Sequence, residues 1–108
     1  MKKFRTYTDG GARGNPGPAG IGAVIQACDE TSQEYQTVRA VKRYLGETTN
    51  NQAEYRALIA ALEAATELGA TEVECLLDSE LVVRQLNGEY RVRDKDLAPL
   101  FLKAWNLG

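Results

Sequence analysis

Histidine is absent from the 108 residues. That removes the commonest general base, the usual zinc ligand and every Ser-His triad. Any hydrolysis by this chain must therefore run on carboxylates, amides, Lys or Arg. Cysteine is scarce: Cys28 and Cys75 lie far apart and form no CxxC pair, which reads as two reduced core thiols. No apolar run is long enough to span a membrane. Met1, Lys2 and Lys3 are not followed by an apolar stretch of signal-peptide length, so the expected location is the cytoplasm. GxxxxGK[ST] does not occur, which excludes a P-loop. Gly20-Ile21-Gly22 lacks the third glycine of a dinucleotide fingerprint and falls within a strand pattern. The formal net charge of −2 does not advertise nucleic acid, although a local patch is enough to bind it.

What is present describes one soluble domain over residues 1–108, with 44% hydrophobic and 26% charged residues. Residues 3–8 alternate and are rich in aromatic and β-branched types, the pattern of a strand. Residues 10–18 form a loop by their Gly, Asn and Pro content. Strands follow at 21–27 and 35–45, separated by a polar turn at 29–33, so the first half predicts an antiparallel meander. The period then changes. Residues 50–68 open with Asn, are rich in Ala, Leu and Glu, and close at Gly69, as a helix does. A short apolar strand at 73–77, a short helix at 79–86 stopped by Asn87-Gly88, and a last helix at 96–107 complete a βββ-α-β-α-α order. The fold class is mixed α/β, with the long helix carrying the chain across so that the fourth strand lies parallel to the first.

Three acids stand out. Leu58, Ala61, Leu62 and Ala65 follow Glu54 at offsets that share one helical face, so Glu54 points with the core stripe in the helix's first turn. A carboxylate there is costly unless compensated. The alternative is a capping box, Asn51-x-x-Glu54. Asp78 follows the apolar strand and precedes a helix, where it fits either a site or an N-cap shared with Ser79. Asp9 ends the first strand and opens the glycine loop, where it fits either a site or a turn. Parallel neighbouring strands would put Asp9 and Asp78 side by side at their C-terminal ends, the usual ligand edge of an α/β sheet, with Glu54 aimed at them. Three clustered carboxylates repel unless cations neutralise them. Hard oxygen ligands suit Mg²⁺ or Mn²⁺, and two such ions would serve a phosphodiester displacement.

The blocks "YTDGGARGNPGPAGIGAV", "TNNQAEYRALIAALEAA" and "LDSELVVRQLNGEYRV", in this order and spacing, resemble ribonuclease H of type 1. The resemblance runs through Leu107 and implies a ribonuclease H-like mixed sheet: a three-strand antiparallel meander plus a parallel fourth strand. It implies hydrolysis of the RNA strand of RNA–DNA hybrids, leaving a 5′-phosphate and a 3′-hydroxyl. It carries the catalytic and metal-ligand roles onto Asp9, Glu54 and Asp78, with two Mg²⁺ (or Mn²⁺) ions joining the substrate. Hybrid contacts fall to Asn15, Asn50, Asn51, Gln52 and Ser79, short polar side chains suited to the 2′-OH of a shallow minor groove. Gly10, Gly11 and Gly14, lacking side chains, are expected to let a sugar–phosphate backbone approach Asp9.

The departures are equally definite. The family pattern continues past the last helix with a strand and a helix that carries a fourth acid, and nothing here matches that segment. The expectation is a C-terminally short domain whose fourth ligand would come from water or another chain. Asp94 and Asp96 belong to a different element. The basic handle of some members is missing, and Arg91, Arg93 and Lys95 read as a solvated cluster. Two alternatives follow: a weakened or inactive hybrid-binding module, or the core of a longer active enzyme. An apolar fourth strand with one open side, and a last helix bearing Leu100, Phe101, Trp105 and Leu107, predict a two-fold dimer through either element.

Overall fold

A computed structural model describes residues 2–87. The sequence-predicted last helix, the Arg91, Arg93 and Lys95 cluster, and Asp94 and Asp96 lie outside the described residues. Strands β1 (Lys3–Ala12), β2 (Gly17–Cys28) and β3 (Tyr35–Thr48) form an antiparallel meander. Helix α1 (Asn50–Glu67) crosses over to β4 (Glu72–Leu77), and the short helix α2 (Glu80–Leu86) follows. The strand order is β3-β2-β1-β4, with β4 parallel to β1 from Lys3↔Glu72 to Thr8↔Leu77. The mixed sheet and its parallel fourth strand are thus as the sequence pattern predicts.

Strand parity decides which face α1 covers. Phe4, Thr6, Thr8 and Gly10 of β1, and Ala19, Ile21, Ala23 and Ile25 of β2, are buried under the helix. Small residues on α1, among them Ala61, Ala64 and Ala65, bring its axis close to Phe4, Ala23 and Ile25. A second cluster joins α1 to α2 and β4: Tyr55, Leu58, Ile59, Leu62 and Val82, with Val73, Cys75 and Leu77 against it. Both cysteines are free and half-buried. The end of α1 is marked by Gly69 at φ +85, the left-handed position that favours glycine after a helix.

Several sequence-based boundaries move: β2 starts at Gly17 rather than at residue 21, and β3 runs to Thr48 rather than to residue 45. Residues 10–12 are not loop: β1 continues through Gly10, Gly11 and Ala12, which pair with Ile21, Gly20 and Ala19. Cross-strand pairing overrides the low strand propensity of glycine here. Asp9 therefore lies inside β1, not at its end. The cap of α1 is Thr49, whose Oγ1 accepts from the Gln52 N–H at 3.2 Å. A hydroxyl one residue ahead of the Asn pair takes the position, so the Asn51–Glu54 capping box does not form. Likewise Ser79, not Asp78, caps α2, its Oγ accepting from the Val82 N–H at 3.3 Å.

The closest approach of α1 to the sheet at a described glycine is at Gly10. A Cβ built there would lie 2.4 Å from the Ala53 carbonyl oxygen and 2.7 Å from the Glu54 nitrogen. By contrast, a Cβ at Gly22 meets nothing within 4 Å. Gly10→Ala is expected to destabilise the domain by about 1–3 kcal/mol through overpacking, whereas Gly22→Ala stays within about 0.5 kcal/mol of the parent. Urea denaturation of the two variants checks this pair.

Candidate active site

Thr8 and Leu77 are the last paired residues of the parallel β1–β4 ladder, so Asp9 and Asp78 are the next residues on adjacent chains. Neighbouring strands lie about 4.8 Å apart. Both aspartates are exposed. Glu54 reaches the same end from the first turn of α1 and is only 8% exposed. Its carboxylate accepts a hydrogen bond from the Gly10 N–H. Burial pushes the Glu54 carboxyl above its ordinary range. The Gly10 hydrogen bond pulls the other way, and the charges of Asp9 and Asp78 push it further up.

The three predicted acids are thus brought within each other's field. They do not converge into a ready set of ligands: among the described residues, no group of three or more acidic or thiol side chains is drawn together to hold an ion. Parity explains the spread. Asp9 points away from the face that α1 covers, Glu54 comes from the helix side, and Asp78 lies beyond the end of β4. The donor set nevertheless fits a hard divalent cation: carboxylate oxygens only, with mutual repulsion that a cation would relieve.

Around the acids, amide side chains clamp the β1–β2 hairpin to α1. The Asn50 N–H donates to Asn15 Oδ1 at 2.8 Å, and the Ala12 N–H donates to Asn50 Oδ1 at 3.0 Å. Both carbonyl oxygens are occupied, and both side-chain nitrogens lie outside these bonds as donors. Gln52 Oε1 accepts from the Thr48 hydroxyl at 2.6 Å, and Asn51 is half-buried on the same turn. Ser79 spends its oxygen on the helix cap and keeps its O–H as a donor.

Glycine at position 10 serves the helix rather than a ligand, because Gly10 is buried and the space beside it holds the α1 backbone. Gly11 is the more open one: a Cβ there would sit 3.5 Å from Asn50 Oδ1, an ordinary contact. Gly14, at φ +86, belongs to the hairpin turn.

Other residues were not singled out by the sequence. Among the described residues, Asp9 lies in a broad open groove of about 1190 Å³ on the sheet face opposite α1, bordered by Tyr7, Arg13, Lys42, Tyr44 and Asn50. Asp9 pairs with Gly22 and Gly22 with Lys42, so one row across the sheet runs acid, glycine, lysine. Strand parity was the signal for Lys42 and Tyr44. Thr49, Tyr55 and Gln85 were also missed. Tyr55 is wholly buried, and burial pushes its hydroxyl up to about 12, so it stays a neutral donor; it donates to Gln85 Oε1.

The reverse transcriptase-like family model matches residues 7–107. The ribonuclease HI of Halobacterium salinarum is 45% identical over 95 residues, covering 88% of this chain and 45% of that protein. The N-terminal RNase H domain of rv2228c from Mycobacterium tuberculosis, solved as a fusion with maltose binding protein, superposes with a TM-score of 0.90 at 45% identity, over 99% of this chain and 74% of that one. LC11-RNase H1, isolated from compost and solved in complex with an RNA/DNA hybrid, gives a TM-score of 0.83 at 49% identity, over 96% of this chain and 75% of that one. The chain spans between a quarter and a half of the length of such curated relatives, 25% of the bifunctional protein Rv2228c and 45% of the Halobacterium enzyme. The match over nearly all of its length, on a meander closed by a parallel fourth strand with an acid at each of the three expected places, means that this chain belongs to the reverse transcriptase-like family and has the fold of a type 1 ribonuclease H.

Proposed function

We propose that the chain is a divalent-metal-dependent endonuclease that hydrolyses the RNA strand of RNA–DNA hybrids. One observation carries the reading. One exposed aspartate in β1, a second just past the end of the parallel strand β4, and a buried glutamate from the crossover helix share one electrostatic site. The solved complex of LC11-RNase H1 with a hybrid supports the choice of substrate.

Asp9 and Asp78 would hold two Mg²⁺ or Mn²⁺ ions, with Glu54 on one of them. Bound there, the ions would supply charge stabilisation to the attacking and leaving oxygens of the phosphodiester. The protein's own part is positional. Glu54, fixed by the Gly10 N–H, orients a water for in-line attack on phosphorus. The P–O3′ bond breaks, the proton goes to the departing 3′ oxygen, and a 5′-phosphate remains. The amide nitrogens of Asn15 and Asn50, with Asn51, Gln52 and the Ser79 hydroxyl, present donors at the β1–β2 hairpin, the first turn of α1 and the start of α2. These meet the acceptors of the hybrid's sugars and phosphates, including the 2′-OH. Lys42 and Arg13, bordering the groove that holds Asp9, add cationic contacts in a chain whose net charge is negative.

Self-association belongs to the same proposal. Among the described residues β4 pairs on one side only, with β1. Its exposed residues are Glu72, Glu74 and Leu76, so it is less apolar than its sequence suggests, and the two glutamates oppose pairing with a copy of itself. The other dimer element, the last helix, lies outside the described residues. Light scattering at micromolar concentration gives twice the chain mass if the dimer forms; a monomer mass removes it.

Asp9→Asn is expected to lower hybrid cleavage by more than about 100-fold, beyond what losing an outer partner of a metal site costs. A labelled hybrid with Mg²⁺ measures it, and an Asp9→Asn variant cutting at the parent rate would refute the assignment.

Glu54→Gln is expected to raise the melting temperature of the metal-free protein at pH 7. The folded carboxyl binds its proton more tightly than the unfolded one, whose ordinary value is 4.5. Ionised Glu54 therefore costs stability, and the cost grows as pH rises through the raised folded value. The direction of the gain follows from the raised folded value. The gain should vanish at pH 3, well below that ordinary value, where both states are protonated. Melting curves at the two pH values in EDTA decide it.

A further inference from the structure

The second core cluster is apolar except for one pair. Tyr55 lies on α1 directly after Glu54 and is 0% exposed. Gln85 lies on α2, whose N-terminus begins just beyond Asp78, and is 5% exposed. The Tyr55 hydroxyl donates to Gln85 Oε1, and around them stand Leu58, Ile59, Leu62 and Val82. An apolar contact between two helices fixes their distance but leaves rotation and slide loosely set. A buried hydrogen bond is directional, and breaking it by removing one partner leaves the other unsatisfied. This bond ties α1 to α2 through two buried side chains.

We infer that Tyr55 and Gln85 are positioning residues that set the distance between the Glu54 and Asp78 carboxylates, and so the metal affinity of the site. Neither side chain reaches substrate. They act through the helices: Tyr55 fixes the first turn that carries Glu54, and Gln85 fixes the helix whose cap, Ser79, follows Asp78. The inference rests on the metal-site reading above, but not on which substrate is cut.

The test separates stability from position. Tyr55→Phe alone should lower the melting temperature, because Gln85 is left buried without its donor. The double variant Tyr55→Phe, Gln85→Met replaces both partners with apolar groups of similar shape, and should melt within a few degrees of the parent. Thermal shift of the full chain against Mn²⁺ gives the concentration for half-maximal stabilisation. The expected result is at least a threefold rise in that concentration in the double variant, with the metal-free melting temperature restored. A double variant with the parent's Mn²⁺ midpoint overturns the positioning role, whatever its cleavage rate. A parent chain that does not respond to Mn²⁺ overturns it too. A parent that binds Mn²⁺ but leaves a labelled hybrid intact refutes the nuclease reading, while a shifted midpoint in the double variant still upholds the pair.

Discussion

The contact on which the site depends is between a residue without a side chain and a helix backbone. Gly10 lets the Ala53–Glu54 peptide come down onto β1, where any Cβ would collide at 2.4 Å. The same residue's N–H then binds the Glu54 carboxylate. One glycine therefore sets both the height of α1 above the sheet and the place of the buried acid. The small residues along α1 extend this approach, and Phe4, Ala23 and Ile25 fill the space beneath. With a larger residue at position 10, Glu54 would be lifted from the strand that carries Asp9.

Electrostatics and packing are opposed at this point. Packing turns Glu54 inward and leaves it 8% exposed, and the two exposed aspartates add like charge. An apolar side chain at position 54 would suit the core better. The strain is local, because Asp9 and Asp78 keep their solvent, and the amide clamp of Asn15 and Asn50 holds the surrounding loops independently of the acids.

Much of this was legible in the chain. The change of period at residue 50, the stop at Gly69 and the offsets from Glu54 to Leu58, Ala61, Leu62 and Ala65 place the buried acid, because helical geometry is local and all four are buried. The parallel pairing of β1 with β4 follows from a helix of crossover length between them. The extension of β1 through Gly10–Ala12 was not legible, since glycine reads as loop until a partner strand is known. Neither was the Thr49 cap, because three adjacent polar residues compete for one position. The Tyr55–Gln85 bond joins residues 30 apart, and no spacing rule reaches that far.

The parallel pairing of β1 with β4 also dictates an order of assembly. The meander and α1 form from neighbours in the chain, whereas the ladder between Lys2–Thr8 and residues 71–77 closes a separation of 69 residues. Long closures are late and slow relative to local ones. On a ribosome, where the N-terminal part emerges first, the strand that carries Asp9 is free well before the one that precedes Asp78, so the two acids become neighbours only once β4 has closed onto β1.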